Sequence, residues 1–256
     1  MRPSPSSPDA GAALRFPKQI PRKLQGCRGG QGKVHQAPWR DRDKKSPHAS
    51  SLFALNSTPS GGGDTVNGRT HIYPASRSGL LDNWVRRLVH PPGKLLREFI
   101  RPGNVVLDIG SGSGFFTRAM ARMVGDTGRV IAVDLQEAML QKVQETAQKE
   151  GLLPRIRLHK ARPDTLDISR RECADFALAF YVVHEVPDAG RLLREIASLL
   201  VPGGRLLVVE PKGEVPAAVF ERMVETAHSV GFRAMKRPKV LFSRAVVLQR
   251  IRDESR

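Results

Sequence analysis

The strongest constraint on the fold is the stretch 104–117, which reads NVVLDIGSGSGFFT. Its apolar residues predict a buried strand, and Gly110, Gly112 and Gly114 predict the turn that follows it. Because glycine has no Cβ, such a turn lets the backbone approach a ligand closely. A helix is predicted next, and the N–H groups of its first turn point back over the glycines. The stretch therefore predicts a site for a nucleotide-like ligand at the end of a strand.

Strands and helices alternate after this turn. Further strands are predicted at 130–134, 156–160, 175–183 and 205–210, and helices at 136–149, 191–200 and 217–230. Two last strands, 239–242 and 245–250, flank Ser243-Arg244, which reads as a hairpin turn. The pattern predicts an α/β, Rossmann-like fold, with a seven-stranded, mostly parallel sheet, helices on both faces and a C-terminal β-hairpin.

Composition separates the first 70 residues from the rest. Residues 1–70 contain 12 Lys and Arg against 4 Asp and show no periodic apolar face, so we expect a disordered basic tail. An organelle-targeting peptide and a non-native upstream extension are alternatives, whereas the lack of an apolar run argues against a secretory signal. Residues 71–103 predict two helices, about 78–89 and 93–100, which either cover the site as a lid or pack on the sheet. The main domain is expected at 104–256.

Cysteine content and charge limit the partners. Cys27 and Cys173 form no metal-ligand spacing, so we expect free thiols, no metal and a reducing, cytoplasmic setting. No apolar run is long enough for a transmembrane helix. The net charge of +17 makes nucleic acid a possible partner, although a basic tail explains the charge more simply.

The spacing of the glycines bears on the ligand. Dinucleotide-binding turns follow the pattern G-x-G-x-x-G, but Phe115 stands where the third glycine would fall. Asp108 precedes the turn, where a carboxylate would repel a pyrophosphate but could help bind an ammonium group. A ligand with an amino-acid part, a sulfonium and an adenosine fits better than a nicotinamide dinucleotide.

Four motifs in order carry a family resemblance. LDIGSGSG (107–114), VIAVD (130–134), AFYVVHEVPD (179–188) and LLVPGGRLLVVE (199–210) resemble the motifs of class I S-adenosylmethionine-dependent methyltransferases. The resemblance covers about residues 104–250 and is closest to the small-molecule branch that includes ubiquinone/menaquinone-biosynthesis-type enzymes. It implies S-adenosylmethionine as the cofactor and a small-molecule methyl acceptor, quinone-like or another metabolite.

The resemblance also implies roles for the matched residues near the cofactor. The three glycines would pass under its methionine part, with Asp108 near the amino end, and Leu135 and Gln136 would flank the adenine. Asp134 would accept hydrogen bonds from both ribose hydroxyls, which suits a carboxylate with two oxygens. The alternative role for Asp134 is a cap on the helix predicted at 136–149.

One position departs from the family pattern. Many relatives carry an acid after the third strand that contacts the adenine amino group, but here Arg162 stands at that position. Asp164 lies two residues later. Either Asp164 takes over the contact, or it is a surface loop acid and the adenine is held by backbone and apolar contacts.

His184 is the leading candidate for a general base, which methyl transfer needs only when the acceptor carries a proton. It follows the predicted fourth strand, where a loop opens over the ligand crevice, and its pKa range suits proton transfer. Packing or capping of the loop is its alternative role. Tyr181 and Glu210 are weaker candidates at similar strand ends, and Glu185 and Asp188 are expected to be solvated loop acids.

Two further functions stay open. An RNA methyltransferase would explain the basic charge, but the chain lacks an Asn-Pro-Pro-Tyr-like motif and has few aromatic residues for stacking on bases. A non-catalytic S-adenosylmethionine-binding or scaffold protein is the other, against which the intact glycine turn and Asp134 argue. The sequence does not indicate the acceptor atom or the oligomeric state.

Overall fold

The computed structural model describes residues 90–169 and 173–251, and these form a seven-stranded sheet. Apolar runs that are buried on both faces make its central strands, as expected for parallel strands covered by helices. The strands are β1 (Val105–Ile109), β2 (Arg129–Asp134), β3 (Ile156–Lys160), β4 (Ala174–Phe180), β5 (Leu200–Pro211), β6 (Phe232–Lys236) and β7 (Ser243–Arg250). The helices are α1 (Pro92–Leu96), α2 (Phe115–Val124), α3 (Glu137–Lys149), α4 (Ala189–Leu199) and α5 (Ala217–Ser229), with 3₁₀ turns at Leu153–Arg155 and Val183–Glu185.

The order of the strands is β3-β2-β1-β4-β5-β7-β6. The first five strands pair in parallel, and β7 runs antiparallel between β5 and β6. From β1 the chain builds outward through β2 and β3, then returns to place β4 on the other side of β1. This reversal opens a crevice beyond the carboxyl ends of β1 and β4, where ligands bind in open α/β sheets. The predicted fold class is confirmed.

Side chains that alternate along the strands pack into two separate hydrophobic cores. Leu107 of β1 faces the core formed with α4 and α5, whereas its neighbour Val106 faces the core formed with α1, α2 and α3. Helices therefore cover both faces of the sheet, and the strand ends that carry the site are held between two packed layers.

The chain ends in an antiparallel strand pair, as predicted, but the first strand and the turn lie at other positions. The first strand of the pair is β6, Phe232–Lys236, because Phe232 is buried and the strand follows Gly231 directly. Ser243 and Arg244 do not form the turn, since they pair with Pro211 and Glu210 of β5 and so open β7.

Other predicted elements shift or fall outside the description. The helix predicted at 93–100 is the shorter α1, which starts at Pro92 as proline favours and ends at Leu96. The tail 1–70 and the helix predicted at 78–89 lie outside the described residues. Cys173 is disulfide-bonded, so the expectation of a free thiol is wrong there, and Cys27 is not described. Across the described ranges, no helix has the length and apolarity to cross a bilayer.

Candidate active site

The parallel strands bring four functional segments to one edge of the sheet. The glycine turn follows β1, Asp134 ends β2, residues 181–185 follow β4, and Glu210 lies near the end of β5. Carboxyl ends of parallel strands lie side by side, so segments far apart in sequence line one crevice.

The three glycines of the turn all have positive φ, at +67° for Gly110, +52° for Gly112 and +85° for Gly114. A Cβ on Gly110 would lie 2.7 Å from Val182 Cγ2, and one on Gly114 would lie 3.0 Å from Val143 Cγ2. A Cβ on Gly112 would meet nothing within 4 Å. A Cβ on Gly110 would clash with Val182 and one on Gly114 would crowd Val143, while Gly112 borders open space that a ligand can enter.

Asp134 ties β2 to the glycine turn. Its Oδ2 accepts a hydrogen bond from the Gly112 N–H at 2.8 Å, and its Oδ1 accepts one from the Gln136 N–H at 2.9 Å. Burial raises the pKa of the Asp134 carboxyl, and these backbone N–H groups oppose that rise. The cap position of α3 is Gln136 itself, so Asp134 is not the N-cap. Each carboxylate oxygen keeps further acceptor capacity for a hydroxyl of a ligand.

Two polar side chains complete the turn. The buried Asp108 accepts a hydrogen bond from the Thr117 hydroxyl, which ties β1 to the first turn of α2. Ser111, between Gly110 and Gly112, is 8% exposed, and its Oγ has no hydrogen-bond partner among the described residues. A buried hydroxyl without a partner is rare and costly, which makes Ser111 a candidate contact for a ligand. Its position between two glycines of the turn was the available sequence signal.

Glu210 and His184 form a pair on the other side of the crevice. The Glu210 side chain is 2% exposed; its Oε1 accepts from the Val183 N–H at 2.9 Å, and its Oε2 bonds Nδ1 of His184. The hydrogen bond to the Glu210 carboxylate raises the pKa of His184. The other ring nitrogen, Nε2, lies 3.2 Å from Oε2 of Glu214. His184 is therefore held between two carboxylates, and no sequence pattern pointed to Glu214.

Glu185 differs from the solvated acid that was expected. Its side chain is half-buried, and burial raises its pKa to about 7. His184 counteracts this rise, whereas the carboxylates of Glu210, Glu214 and Asp134 add to it. Glu185 is therefore a half-buried acid within range of the charges of Asp134, Glu210 and Glu214.

The other predicted residues lie in different surroundings. The hydroxyl of Tyr181 is 2.5 Å from Ser243 Oγ and 3.4 Å from His90 Nε2, and neither of these contacts involves His184 or Glu210. Asp188 is exposed and caps α4, since it accepts from the Arg191 N–H at 2.8 Å.

Residues proposed near the adenine also differ in setting. Leu135 and Gln136 are half-buried beside Asp134 at the start of α3. Asp164 is exposed and lies 3.5 Å from Nη1 of Arg191, as in a surface ion pair. A contact of Asp164 with the adenine stays a prediction.

The fold and this edge of the sheet define a class I S-adenosylmethionine-dependent methyltransferase. Residues 100–242 match the methyltransferase domain family, and the chain belongs to that family. The resemblance seen in the four sequence motifs is thereby confirmed.

Named relatives agree with this class. The chain is 32% identical over 148 residues to a ubiquinone/menaquinone biosynthesis C-methyltransferase of Hydrogenovibrio crunogenus, covering 57% of this chain and 56% of that protein. It is 34% identical over 111 residues to the enzyme of the same name from an Enterobacter species, covering 43% and 44%. The chain thus spans about half the length of these curated relatives or slightly less.

Solved structures share the architecture. A S-adenosylmethionine-dependent methyltransferase from Aquifex aeolicus superposes with a TM-score of 0.63 at 25% identity, covering 70% of this chain and all of that one. TrmN from Thermus thermophilus gives a TM-score of 0.50 at 26% identity, covering 64% and 48%.

S-adenosylmethionine is the cofactor of this class, and the residues present fit it. The open space at Gly112 and the unpartnered hydroxyl of Ser111 would take its methionine part. The carboxylate of Asp134, at the end of the neighbouring strand, would hold its ribose hydroxyls. The cofactor brings the reactive methyl group on a sulfonium, and the chain provides binding, orientation and proton transfer.

Proposed function

We propose that the protein transfers the methyl group of S-adenosylmethionine to a small molecule, and that the acceptor is a quinone-like ring in its reduced, hydroxyl-bearing form. The observation that carries the proposal is the pair of His184 and Glu210, held at the crevice beside the glycine turn. The relatives named as C-methyltransferases of quinone biosynthesis support an aromatic acceptor.

His184 would act as the general base. A hydroxyl on an aromatic ring becomes more electron-donating when it loses its proton, which makes the adjacent ring carbon a better nucleophile. After methyl transfer, that carbon releases its hydrogen as a proton and the oxygen takes one up, which restores the aromatic hydroxyl. Glu210 would position the imidazole by holding Nδ1, so that Nε2 takes the proton from the acceptor. Glu214 now contacts Nε2, but its side chain is 70% exposed and is free to give way to an acceptor.

Methyl transfer also requires alignment of the acceptor with the methyl group of the donor. Displacement at the methyl carbon requires the acceptor carbon in line with the sulfur, and orientation of bound reactants accounts for much of such a barrier. The side chains near the ends of β4 and β5 would set this alignment, because they lie at the same edge of the sheet as the glycine turn.

The test is incubation of the protein with methyl-labelled S-adenosylmethionine and a panel of hydroquinones, each paired with its dimethyl ether. The ethers have the same ring but no hydroxyl proton for His184 to remove. We expect label on a ring carbon of at least one hydroquinone and none on its ether. Equal labelling of both members of a pair would reject a base-assisted reaction, and labelling of neither across the panel would reject the quinone-like acceptor.

A further inference from the structure

Two neighbouring apolar residues, Leu241 and Phe242, lie exposed in the turn just before β7. Leu241 is 55% exposed and Phe242 is 69% exposed. Within the described ranges 90–169 and 173–251, Phe242 is the only exposed aromatic residue, and no other two exposed large apolar residues adjoin in sequence. Single apolar residues on a surface are normal, but an exposed apolar pair of this size indicates an interaction surface. We call Leu241 and Phe242 the apolar tip.

The backbone of the apolar tip is held in place by hydrogen bonds, although its side chains are in solvent. The Leu241 carbonyl accepts from His90 Nε2 at 3.1 Å and from Ser243 Oγ at 3.0 Å, and the Phe242 carbonyl accepts from the Lys212 N–H at 3.0 Å. Phe242 has a φ of +56°, which is unfavourable for a bulky residue and persists only where the surroundings impose it. The fold therefore fixes Phe242 in an exposed position at a conformational cost.

The surroundings of the apolar tip are basic. Residues 236–244 contain four Lys or Arg and no Asp or Glu. Lys239 and Lys212 are exposed, and their ammonium groups form no ion pair with any residue that the structure describes. The exposed acid nearest to Lys212 in sequence, Glu214, contacts the ring of His184 instead. Apolar side chains beside free cations complement an anionic lipid bilayer, whose interface takes up apolar groups and whose phosphates attract cations.

The apolar tip lies at the edge of the sheet that carries the proposed acceptor half of the crevice. Ser243, the next residue, pairs with Pro211 at the carboxyl end of β5, and Pro211 directly follows Glu210. The Oγ of Ser243 is also 2.5 Å from the hydroxyl of Tyr181, which precedes His184 by three residues. A surface that contacts the tip would therefore lie next to the acceptor half.

We propose that the apolar tip and the basic residues beside it dock the protein on an anionic lipid surface. Leu241 and Phe242 enter the boundary between headgroups and acyl chains, while Lys212 and Lys239 contact the phosphates. The inference goes beyond the proposed function, because docking requires neither the methyl donor nor the acceptor. RNA is the less favoured occupant, since Leu241 has no aromatic face on which a base could stack.

The test is sedimentation of the full chain with vesicles of phosphatidylcholine and phosphatidylglycerol. The measured quantity is the partition coefficient of the wild-type protein and of the double variant Leu241→Ser/Phe242→Ser. We expect the double variant to lose about 30- to 100-fold, since burial of each apolar side chain contributes about tenfold. Residues 1–70 are basic and present in both proteins, so their attraction to the vesicles cancels in the ratio. Unchanged affinity for S-adenosylhomocysteine reports that the double variant is folded.

The matched control for the apolar tip is Ile251→Ser. Ile251 is 50% exposed but follows the end of β7, at the opposite edge of the sheet. Its replacement should change the partition coefficient by less than about twofold, because it lies away from the docking surface. An equal loss in Ile251→Ser and in the double variant would assign binding to general surface apolarity and overturn the proposal.

Lys239→Gln tests the electrostatic part of docking. It should lower the partition coefficient on these vesicles about threefold to fivefold and have no effect on vesicles of phosphatidylcholine alone. Its control is Lys149→Gln, which removes an exposed charge at the end of α3 and should have a smaller effect. Equal effects of the two lysine variants would contradict a specific contact of Lys239 with lipid.

Full vesicle binding by the double variant would overturn the proposal. If the double variant instead loses binding to single-stranded RNA while it keeps binding to vesicles, the apolar tip is a nucleic-acid contact. The labelling of hydroquinones is measured without vesicles, so failure of lipid docking and failure of the proposed function are distinguishable.

Discussion

The half of the crevice proposed to bind the cofactor, at the ends of β1 and β2, is held mainly by backbone groups. The proposed acceptor half, at the ends of β4 and β5, is held mainly by side chains. Asp134 is fixed by the N–H groups of Gly112 and Gln136. His184 is fixed by the carboxylates of Glu210 and Glu214. A backbone cradle keeps its shape through many substitutions, while a side-chain network changes its shape and charge with each one. The two halves should therefore respond differently to mutation and to pH.

The largest effect is expected on the acceptor side. His184→Ala should lower the rate of methyl transfer to a hydroquinone acceptor by about 10²- to 10⁴-fold, the usual range for a general base. Binding of S-adenosylhomocysteine should be unchanged, because His184 lies outside the cradle of the glycine turn. If His184→Ala lowers both the rate of methyl transfer and the affinity for S-adenosylhomocysteine, the two halves of the crevice do not act independently.

The charge state of His184 adds a pH signature. Since Glu210 raises its pKa above the ordinary 6.5, the neutral, proton-accepting form appears only as the pH rises past the raised value. The rate should thus increase with pH, and Glu210→Gln should move the midpoint to lower pH. Glu185 titrates at about 7, so the profile is best recorded with and without Glu185→Gln. An unmoved midpoint in Glu210→Gln would contradict a positioning role for Glu210.

A smaller effect is expected for Gly112→Ala in the glycine turn. Its matched control is Gly151→Ala, which lies outside the site, just after α3. Both glycines have positive φ, +52° and +68°, and a Cβ on either meets nothing within 4 Å. Both variants should lose about 1–2 kcal/mol of stability in thermal unfolding, because alanine resists the left-handed conformation. Only Gly112→Ala should also bind S-adenosylhomocysteine more weakly, by about 10- to 100-fold, since its methyl group enters the ligand space. If both variants bind S-adenosylhomocysteine with equal affinity, Gly112 does not line the cofactor site.

The smallest effect compares two acids near the cofactor. Asp134→Ala should weaken binding of S-adenosylhomocysteine by about tenfold or more, because it removes charge-assisted hydrogen bonds to the ribose. Asp164→Ala should change it by less than about twofold, as expected of an exposed ion pair. A large effect of Asp164→Ala in the same calorimetric titration would restore its predicted contact with the adenine.

The sequence predicted the cofactor half well because that half is encoded locally. Strand, glycine turn and helix are contiguous, and Asp134 follows Gly112 by 22 residues along the same β-α-β unit. Alternation of strands and helices likewise predicted the order of elements and the parallel sheet. The strand β6 was missed, since its sequence FRAMK carries two basic residues and only a weak alternation.

The acceptor half could not be predicted to the same extent. His184 was identified from its place after a strand, but its contacts with Glu210 and Glu214 bridge 26 and 30 residues. Glu185 follows it directly in sequence, and its raised pKa depends on burial and on the charges of Glu210, Glu214 and Asp134, which are far from it along the chain. The bonding state of Cys173 was also misjudged, since spacing along the chain cannot reveal which sulfur atoms meet in space.

The contact between Val182 and Gly110 has a consequence for redesign of this scaffold. Because Val182 packs against Gly110, lengthening the segment 181–185 to admit a bulkier substrate would disturb the turn that we propose holds the methyl donor. Substrate scope in this protein is therefore better altered by exchanging side chains at a fixed loop length.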